Sequence, residues 1–217
     1  MCGLLSMLIV GIVAAEAVID AATVWDFEDG QEGRSPSGFS FTETGDGSPG
    51  RWVIQAAVDA PSGKYVLAQT DNDPADFRFP MAVADEPSLT DLRLSVRCRP
   101  VSGKVDQACG LVLRYQDEQN YYITRANALE QNVRFYRVVN GSRQQLASWS
   151  GAVTRGVWHE LRVEAQGEHF AVFWDGQHMM EVVDQTFREP GRVGVWTKAD
   201  SVTAFDDLTV EPLNSSP

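Results

Sequence analysis

Short runs of alternating apolar and polar residues dominate the chain, and helical periodicity is almost absent. The runs are rich in Val, Ile, Tyr, Phe and Trp, and Gly, Pro, Asn and Asp separate them. The clearest runs cover residues 91–99, 110–116, 120–126, 132–139, 158–166, 169–176, 178–184, 191–198 and 202–210. So many short strands in one compact chain predict an all-β fold of two packed antiparallel sheets, a sandwich or jelly roll.

Two dipeptides predict where the chain reverses between strands. Asn140-Gly141 and Asp175-Gly176 each follow a strand-like run. Both central positions of a type I′ turn need a positive φ, which Asn, Asp and Gly tolerate. Each dipeptide therefore predicts a tight β-hairpin.

Strand geometry sorts the side chains onto two faces, because alternate residues point to opposite sides of a sheet. One face is mostly aliphatic and is predicted to form the core; in 120–126 this face carries Tyr121 and Ile123. The opposite face gathers arginines and aromatic rings. Its members are Arg97, Arg114, Tyr122, Thr124, Arg134, Tyr136, Arg192 and Trp196.

This second face has the chemistry of a sugar-binding surface. Flat rings cover the C–H face of a sugar, and guanidinium forks bond its hydroxyl groups. The candidate carbohydrate-binding residues on one concave sheet are Arg97, Arg114, Tyr122, Arg134, Tyr136 and Trp196, with Asn127 on the adjoining loop beside Glu130. The alternative is a solvated face in which arginine stems cover the rings, with Asn127 serving only the turn.

Charge excludes two classes of partner. The chain has 217 residues and a net charge of −12. Neutralising the phosphates of a nucleic acid needs a surplus of Lys and Arg, and so does docking on anionic lipid. The composition therefore argues against both partners.

The N-terminal residues predict a secretory signal. Residues 1–15 carry no charged side chain and are too few for a comfortable membrane span. Ala15 and Ala17 form a small-x-small cleavage pattern. We therefore expect a signal peptide over 1–17, one domain over 18–217, and a secreted or periplasmic protein free of the membrane after cleavage. The alternatives are a misassigned start codon and an uncleaved anchor.

Two cysteines remain after such cleavage. Cys98 and Cys109 lie 11 residues apart, at the end of one predicted strand and the start of the next. Facing each other across a hairpin, they would form a disulfide in an oxidising compartment. The alternative is a pair of small buried thiols.

Carboxylates near both ends of the chain predict a structural calcium site. The first and last strands of a sandwich are often neighbours, and hard carboxylate oxygens suit Ca²⁺. The candidate ligands are Glu28, Asp29, Asp206 and Asp207. The alternative is a solvated acidic cluster at the strand ends.

The residues alone assign no catalytic group. The sequence contains no GxSxG elbow, HExxH zinc motif, phosphate-binding loop or dinucleotide fingerprint. His159, His169 and His178 have no spacing that suits a metal, and His159 at a strand start is interpreted as structural.

Three segments together resemble a known family. They are "GLVLRYQDEQNYYITRANALEQNVRFYRVVNGSRQQLAS", "WHELRVEAQGEHFAVFWDGQ" and "GRVGVWTKADSVTAFDDLTV". In this order they resemble the 3-keto-disaccharide hydrolase domain family, a group of concanavalin A-like jelly rolls. The resemblance implies a secreted or periplasmic sandwich that binds or cleaves glycosides, and it carries Arg114, on the glycine-to-arginine strand, over as a site residue.

Departures from that family favour binding over catalysis. Its enzymes carry Asn-Ser-Gly where this chain has Ala108-Cys109-Gly110, and their acidic Glu-x-Gln segment has no counterpart here. Their His-Gly is replaced by "WTKADS" at 196–201. The first hypothesis is therefore a glycoside-binding module. The alternatives are a hydrolase of 3-keto-disaccharides or related glycosides and a laminin-G-like protein-interaction domain.

Overall fold

The computed structural model describes residues 21–214, so the predicted signal peptide over 1–17 lies outside the described residues. Within this range the chain forms strands and no helix, and accordingly no helix there is long and apolar enough to cross a membrane. The strands are β1 (Thr23–Trp25), β2 (Phe39–Gly45), β3 (Trp52–Ala56), β4 (Tyr65–Gln69), β5 (Arg78–Ala84), β6 (Leu92–Ser102), β7 (Ala108–Asp117), β8 (Asn120–Asn127), β9 (Asn132–Val139), β10 (Ser142–Ser150), β11 (His159–Gln166), β12 (His169–Trp174), β13 (Gln177–Val183), β14 (Arg192–Trp196) and β15 (Val202–Pro212).

The strands form two antiparallel sheets packed face to face. Sheet I has the order β13-β12-β11-β6-β15-β4-β3, and the short β1 also pairs with β15. Sheet II has the order β10-β9-β8-β7-β14-β5-β2. The predicted all-β sandwich is confirmed, and all nine predicted runs are strands within a few residues of their predicted bounds.

Both predicted hairpin turns are present. Asn140 and Gly141 have φ values of 49° and 74°, and Asp175 and Gly176 have 48° and 75°. The positive values agree with the type I′ geometry that Asn-Gly and Asp-Gly favour. The first turn fixes the register of β9 and β10, so that Val138 pairs with Arg143.

The main core lies between the sheets and is built from the inward-facing residue of each alternating pair. Leu94 and Val163 of sheet I and Leu111 and Phe135 of sheet II are completely buried in it. Burying such a side chain stabilises the fold by roughly 1.5–3 kcal/mol. This core holds the two sheets together.

The disulfide joins the sheets rather than closing a hairpin. Cys98 lies on β6 in sheet I and Cys109 on β7 in sheet II, and their bonded sulfurs cross the core with the Cα atoms 6.2 Å apart. The predicted hairpin geometry was wrong because β6 and β7 are not paired with each other. The link ties the middle of one sheet to the middle of the other.

A second apolar cluster fills the outer face of sheet II, the face turned away from sheet I. Its buried members are Phe79, Met81, Val83, Ala108, Val112, Tyr115, Tyr121, Ile123, Tyr136, Val138 and Trp196. Three strands separate β2 from β8, yet the Thr44 hydroxyl lies 2.6 Å from the Tyr121 hydroxyl. Sheet II therefore curls strongly towards its outer face, as twisted sheets do when they begin to close. The buried cluster fills the middle of this face, and a groove lies at its edge beside β2 and the turn after β9.

Candidate functional site

An arginine cluster lies at one end of the outer face of sheet II. We define it as Arg125, Glu130, Arg134, Tyr136 and Arg143. Arg125 on β8 and Arg134 on β9 are direct cross-strand partners, so their side chains leave the sheet side by side. Arg143 on β10 joins the same face through the register of the Asn140-Gly141 turn.

Glu130 holds the two cross-strand arginines together. Its Oε2 accepts from Arg125 Nη2 at 2.8 Å, and it lies 3.0 Å from Arg134 Nη1. Asn132 Nδ2 donates to the same oxygen at 3.2 Å. Burial alone would raise the pKa of Glu130, but the charge and hydrogen bond of Arg125, followed by Asn132 and Arg134, lower it below its ordinary value. The carboxylate is therefore ionised at neutral pH and acts as a hydrogen-bond acceptor.

Arg143 differs from its neighbours because it has no acidic partner among the described residues. Its guanidinium carbon lies 4.7 Å from the ring centre of Tyr136 and 4.5 Å from that of Phe79. Its Nη1 is buried without a hydrogen-bond partner in the described part of the chain. Burial, and then the nearby charge of Arg125, lower the pKa of Arg143. A buried N–H group without a hydrogen-bond partner is uncommon in folded proteins.

Aromatic rings form the floor beneath these arginines. The Tyr136 hydroxyl oxygen accepts hydrogen bonds from Arg125 Nη2 at 3.2 Å and from Arg134 Nη1 at 3.4 Å. Trp196 is fully buried and stacks on Phe79 with the ring centres 5.5 Å apart. The arginines thus cover the rings, and polar groups rather than bare rings face the solvent.

A buried polar network supports the cluster from one side. Asp106, 2% exposed, accepts a hydrogen bond from Asn127 Nδ2 at 2.8 Å and lies 3.3 Å from Lys198 Nζ. Burial raises the pKa of Asp106, although the charges of Lys198 and Arg125 oppose the rise. Asn127 Oδ1 in turn accepts from the backbone N–H groups of Leu129 and Glu130. This network therefore sets the loop that presents Glu130.

The structure brings together four of the residues predicted to bind sugar. Arg134, Tyr136 and Trp196 lie on the outer face of sheet II, and Asn127 lies at the end of β8 beside them. Arg97 was wrongly placed with this group, because β6 belongs to sheet I and its exposed side chain pairs with Glu160 at 3.8 Å.

Arg114 and Tyr122 also fall outside the cluster. Arg114 is 1% exposed and donates to three backbone carbonyls, so it is structural. Tyr122 packs in the core between the sheets, 4.8 Å from the Phe170 ring centre, and its hydroxyl donates to Asp184. The predicted faces of β8 were reversed, since Tyr121 and Ile123 lie on the outer face and Tyr122 inside.

Sequence reasoning missed Arg125 and Arg143 as site residues. Arg125 shares the parity of Tyr121 and Ile123, which was assigned to the core. Arg143 could have been found from the two-residue turn, because that turn alone pairs Arg143 with Val138 and so sets it on the face of Tyr136. Glu130 was noticed only as a loop residue.

Two of the four carboxylates predicted to bind calcium already accept hydrogen bonds from backbone N–H groups. Glu28 Oε1 accepts from the N–H groups of Lys64 and Tyr65, and Asp206 accepts from those of Ser62 and Asp207. Strands β1 and β15 are neighbours as expected. Within residues 21–214 no group of three or more His, Cys, Asp or Glu side chains has an arrangement that could hold a metal ion. Calcium binding by Glu28, Asp29, Asp206 and Asp207 stays a prediction.

Comparisons with known proteins agree with this architecture. Residues 90–194 match the family model of the beta-xylosidase C-terminal concanavalin A-like domain. A segment of 98 residues, 44% of this chain, is 26% identical to the levanase of Bacillus subtilis (strain 168), and the match spans 14% of that protein. The chain therefore corresponds to only a small part of the levanase.

Two solved structures have the same fold. Carbohydrate-binding module CBM66 from Bacillus subtilis superimposes with a TM-score of 0.62 and 20% identity, over 81% of this chain and 97% of that one. The beta-glucanase of Bacillus licheniformis superimposes with a TM-score of 0.59 and 11% identity, over 89% and 98%. The chain thus has a concanavalin A-like jelly-roll fold, a β-sandwich similar in fold to the carbohydrate-binding module CBM66.

Proposed function

We propose that this domain binds a glycoside at the arginine cluster. The observation that carries the proposal is Arg143, a half-buried guanidinium with an unpartnered nitrogen and no acidic neighbour within ion-pair distance in the described residues. Burying a charge without a partner costs free energy. A ligand oxygen accepting from Arg143 would offset that cost.

The cluster offers both kinds of group that sugar hydroxyls need. Guanidinium forks of Arg134 and Arg143 donate to hydroxyl oxygens, and the Oε1 of Glu130, to which no described residue donates, accepts from hydroxyl hydrogens. A vicinal diol presents a donor and an acceptor side by side, which suits this mixture. Ring stacking contributes less here than expected, because Tyr136 and Trp196 lie under the arginines.

The cluster is held in place before any ligand arrives. Arg125 has hydrogen bonds to Glu130, Asn132 and Tyr136, and the loop of Glu130 is fixed by Asn127. Because these side chains are already ordered, little conformational entropy is lost on binding. The similarity to carbohydrate-binding modules supports the same ligand class.

Hydrolysis of 3-keto-disaccharides, implied by the resemblance in sequence, is supported less well. It needs an acid and a base facing one substrate. Glu130, the half-exposed carboxylate of the cluster, has a lowered pKa, which suits an acceptor rather than a proton donor. Asp106 has a raised pKa but is buried and bonded to Asn127 and Lys198. We therefore favour binding, by a protein that we expect to be secreted or periplasmic.

Affinity gel electrophoresis tests the proposal directly. Levan, xylan and mixed-linkage β-glucan form the panel, because the similar proteins include a levanase, a xylosidase domain and a β-glucanase. We expect one polysaccharide to retard the protein, and Arg125→Ala to abolish the retardation. Arg97→Ala, an exposed arginine of sheet I, is the matched control and should migrate as the unmodified protein does.

Two results would contradict the proposal. One is unchanged retardation of a folded Arg125→Ala variant, and the other is free migration of the unmodified protein through every gel. Incubation with 3-keto-trehalose adds a second readout, since release of free sugar would favour the hydrolase instead.

A further inference from the structure

A groove runs beside the arginine cluster along the curled edge of sheet II. It lies between β2, the turn that joins β7 to β8, and the turn that joins β9 to β10, and its volume is about 920 Å³. Its lining includes Phe77, Glu43, Glu118, Gln119, Asn140 and Arg143. The groove is thus mainly polar, with one aromatic ring.

That ring, Phe77, is an exposed aromatic held on a rigid base. Its side chain is 52% exposed and meets Phe79 edge to face, with the ring centres 5.1 Å apart. The backbone carbonyl of Phe77 accepts from Asp46 N at 2.7 Å. A Cβ at Gly45 would come within 2.1 Å of that carbonyl oxygen, so only glycine permits this close approach. An exposed flat ring in a polar groove can cover the C–H face of a sugar.

Arg143 connects the groove to the cluster. It lines the groove, and its guanidinium also lies over Tyr136 in the cluster at 4.7 Å from the ring centre. One ligand chain could therefore contact the cluster at one unit and the groove at the next, with Arg143 between them.

The acidic residues of the groove select the charge of such a ligand. Glu43 and Glu118 line it along with the single arginine. Carboxylates accept hydrogen bonds from neutral hydroxyls but repel anions. A uronic acid or sulfated sugar is therefore disfavoured, and a neutral glycan fits.

We propose that this groove is a second subsite for a neutral glycan, continuous with the arginine cluster, with Phe77 as its stacking platform. The inference rests on the proposed sugar binding and extends it, because a site of two subsites binds long oligosaccharides more tightly than short ones. Sugar units beyond the first occupy the groove.

Isothermal titration calorimetry with neutral sugars of one and six units tests this. Both lengths are prepared from levan, xylan and mixed-linkage β-glucan. We expect the hexasaccharide of one series to bind the unmodified protein at least about tenfold more tightly than its monosaccharide, which can fill only one subsite. Phe77→Ala should remove that gain and leave monosaccharide affinity within about twofold. Phe173→Ala, an aromatic change on sheet I, is the matched control and should keep the full gain.

The outcomes separate the two proposals. If Phe77→Ala, folded by circular dichroism, keeps the full gain with length, the groove inference is wrong while the cluster proposal stands. If neither length binds the unmodified protein in any series, both proposals fail. Since Phe77 is exposed, its replacement should not prevent folding, and Phe77→Trp, which retains a flat ring, should keep the gain. If Phe77→Trp and Phe173→Ala both lost the gain in affinity with ligand length, the inference would also be overturned.

Discussion

Arg114 and Arg125 are both almost fully buried arginines of sheet II, on neighbouring strands, and they have opposite surroundings. Arg114 donates to the backbone carbonyls of Thr90, Phe187 and Gly167, at 2.9, 2.8 and 2.6 Å. Arg125 donates to the side chains of Asn132, Glu130 and Tyr136 instead. The first arginine joins three loops, and the second belongs to a group of side chains at an open end of the sheet.

The difference shows how to distinguish a structural arginine from a candidate ligand-binding one. A backbone carbonyl is fixed by the fold, so the guanidinium of Arg114, in which each nitrogen donates to one carbonyl, is held in a structural role. A half-exposed carboxylate such as Glu130 is shared between Arg125 and Arg134 and keeps an oxygen free for a ligand. The partners of an arginine, more than its burial, therefore indicate its role.

Replacing Arg114 should have the largest effect, and the effect should fall on stability alone. Arg114→Met removes a fully buried guanidinium and the three hydrogen bonds that it donates to backbone carbonyls, and it should lower the free energy of unfolding by roughly 3–5 kcal/mol. Urea denaturation measures the loss. Sugar affinity of the remaining folded protein should stay within about twofold, and a large loss of affinity in that folded fraction would assign Arg114 to the site after all.

Replacing Arg125 should give the reverse result. Arg125→Ala should weaken polysaccharide binding by more than about tenfold, which is about 1.4 kcal/mol. It should lower stability by about 1–3 kcal/mol, because the buried Asn132 amide oxygen loses its donor while Glu130 keeps Arg134. Affinity electrophoresis and urea denaturation on the same sample separate the two effects. A stability loss as large as that of Arg114→Met would remove the contrast between the two arginines.

Removing the Tyr136 hydroxyl should have a smaller effect of the same kind. Tyr136→Phe keeps the ring under Arg143 but deletes the oxygen that lies between Arg125 and Arg134. We expect affinity to fall about three- to fivefold, in line with one hydrogen bond, as titration calorimetry would measure. Tyr122→Phe, which alters a core hydroxyl bonded to Asp184, is the control and should leave affinity unchanged.

The smallest expected effect concerns pH. The pKa of Glu130 is lowered from its ordinary value of 4.5 in the folded protein. The ion pairs of Glu130 therefore stabilise the fold fully above pH 4.5, and this stabilisation is lost as the pH falls through the lowered pKa. The difference in unfolding free energy between the unmodified protein and Glu130→Gln should therefore be largest at neutral pH and vanish in acid. Because the side chain is more than one-third exposed, that difference should stay below about 1 kcal/mol.

Comparing the unmodified protein with Glu130→Gln also removes the opposing pH dependence of Asp206. Burial raises the pKa of Asp206 to about 6, so this residue stabilises the fold below its ordinary pKa and less as the pH rises towards 6. Both proteins contain Asp206, and its contribution cancels. A difference that grew as the pH fell would contradict the assigned role of Glu130.

The sequence predicted strands and turns better than faces. Residues 132–139 form β9 with the predicted bounds, because their alternation is regular and Asn140-Gly141 ends the strand. In β8 the parity failed because all residues after Asn120 are buried, on both faces. When both faces are covered, alternation cannot tell which one meets the other sheet.

Long-range pairing limited the prediction of the site. Arg97 and Arg114 lie on consecutive strands, yet β6 and β7 belong to different sheets, and no local pattern encodes that crossing. The contact of Thr44 with Tyr121, which curls sheet II, joins residues 77 positions apart. Which parts of the outer face of sheet II are covered and which are open depends on that contact.

The curl of sheet II has a consequence for how such a domain acquires new ligands. Since packed rings and aliphatic groups occupy the middle of its outer face, a change there would create a void or a clash and cost stability. The connections 129–131 and 140–141 contribute no residue to the apolar cluster that fills this face, so changes in them avoid that penalty. Under the proposed function, changes of ligand preference should therefore accumulate in these short connections, while the strands that support them stay the same.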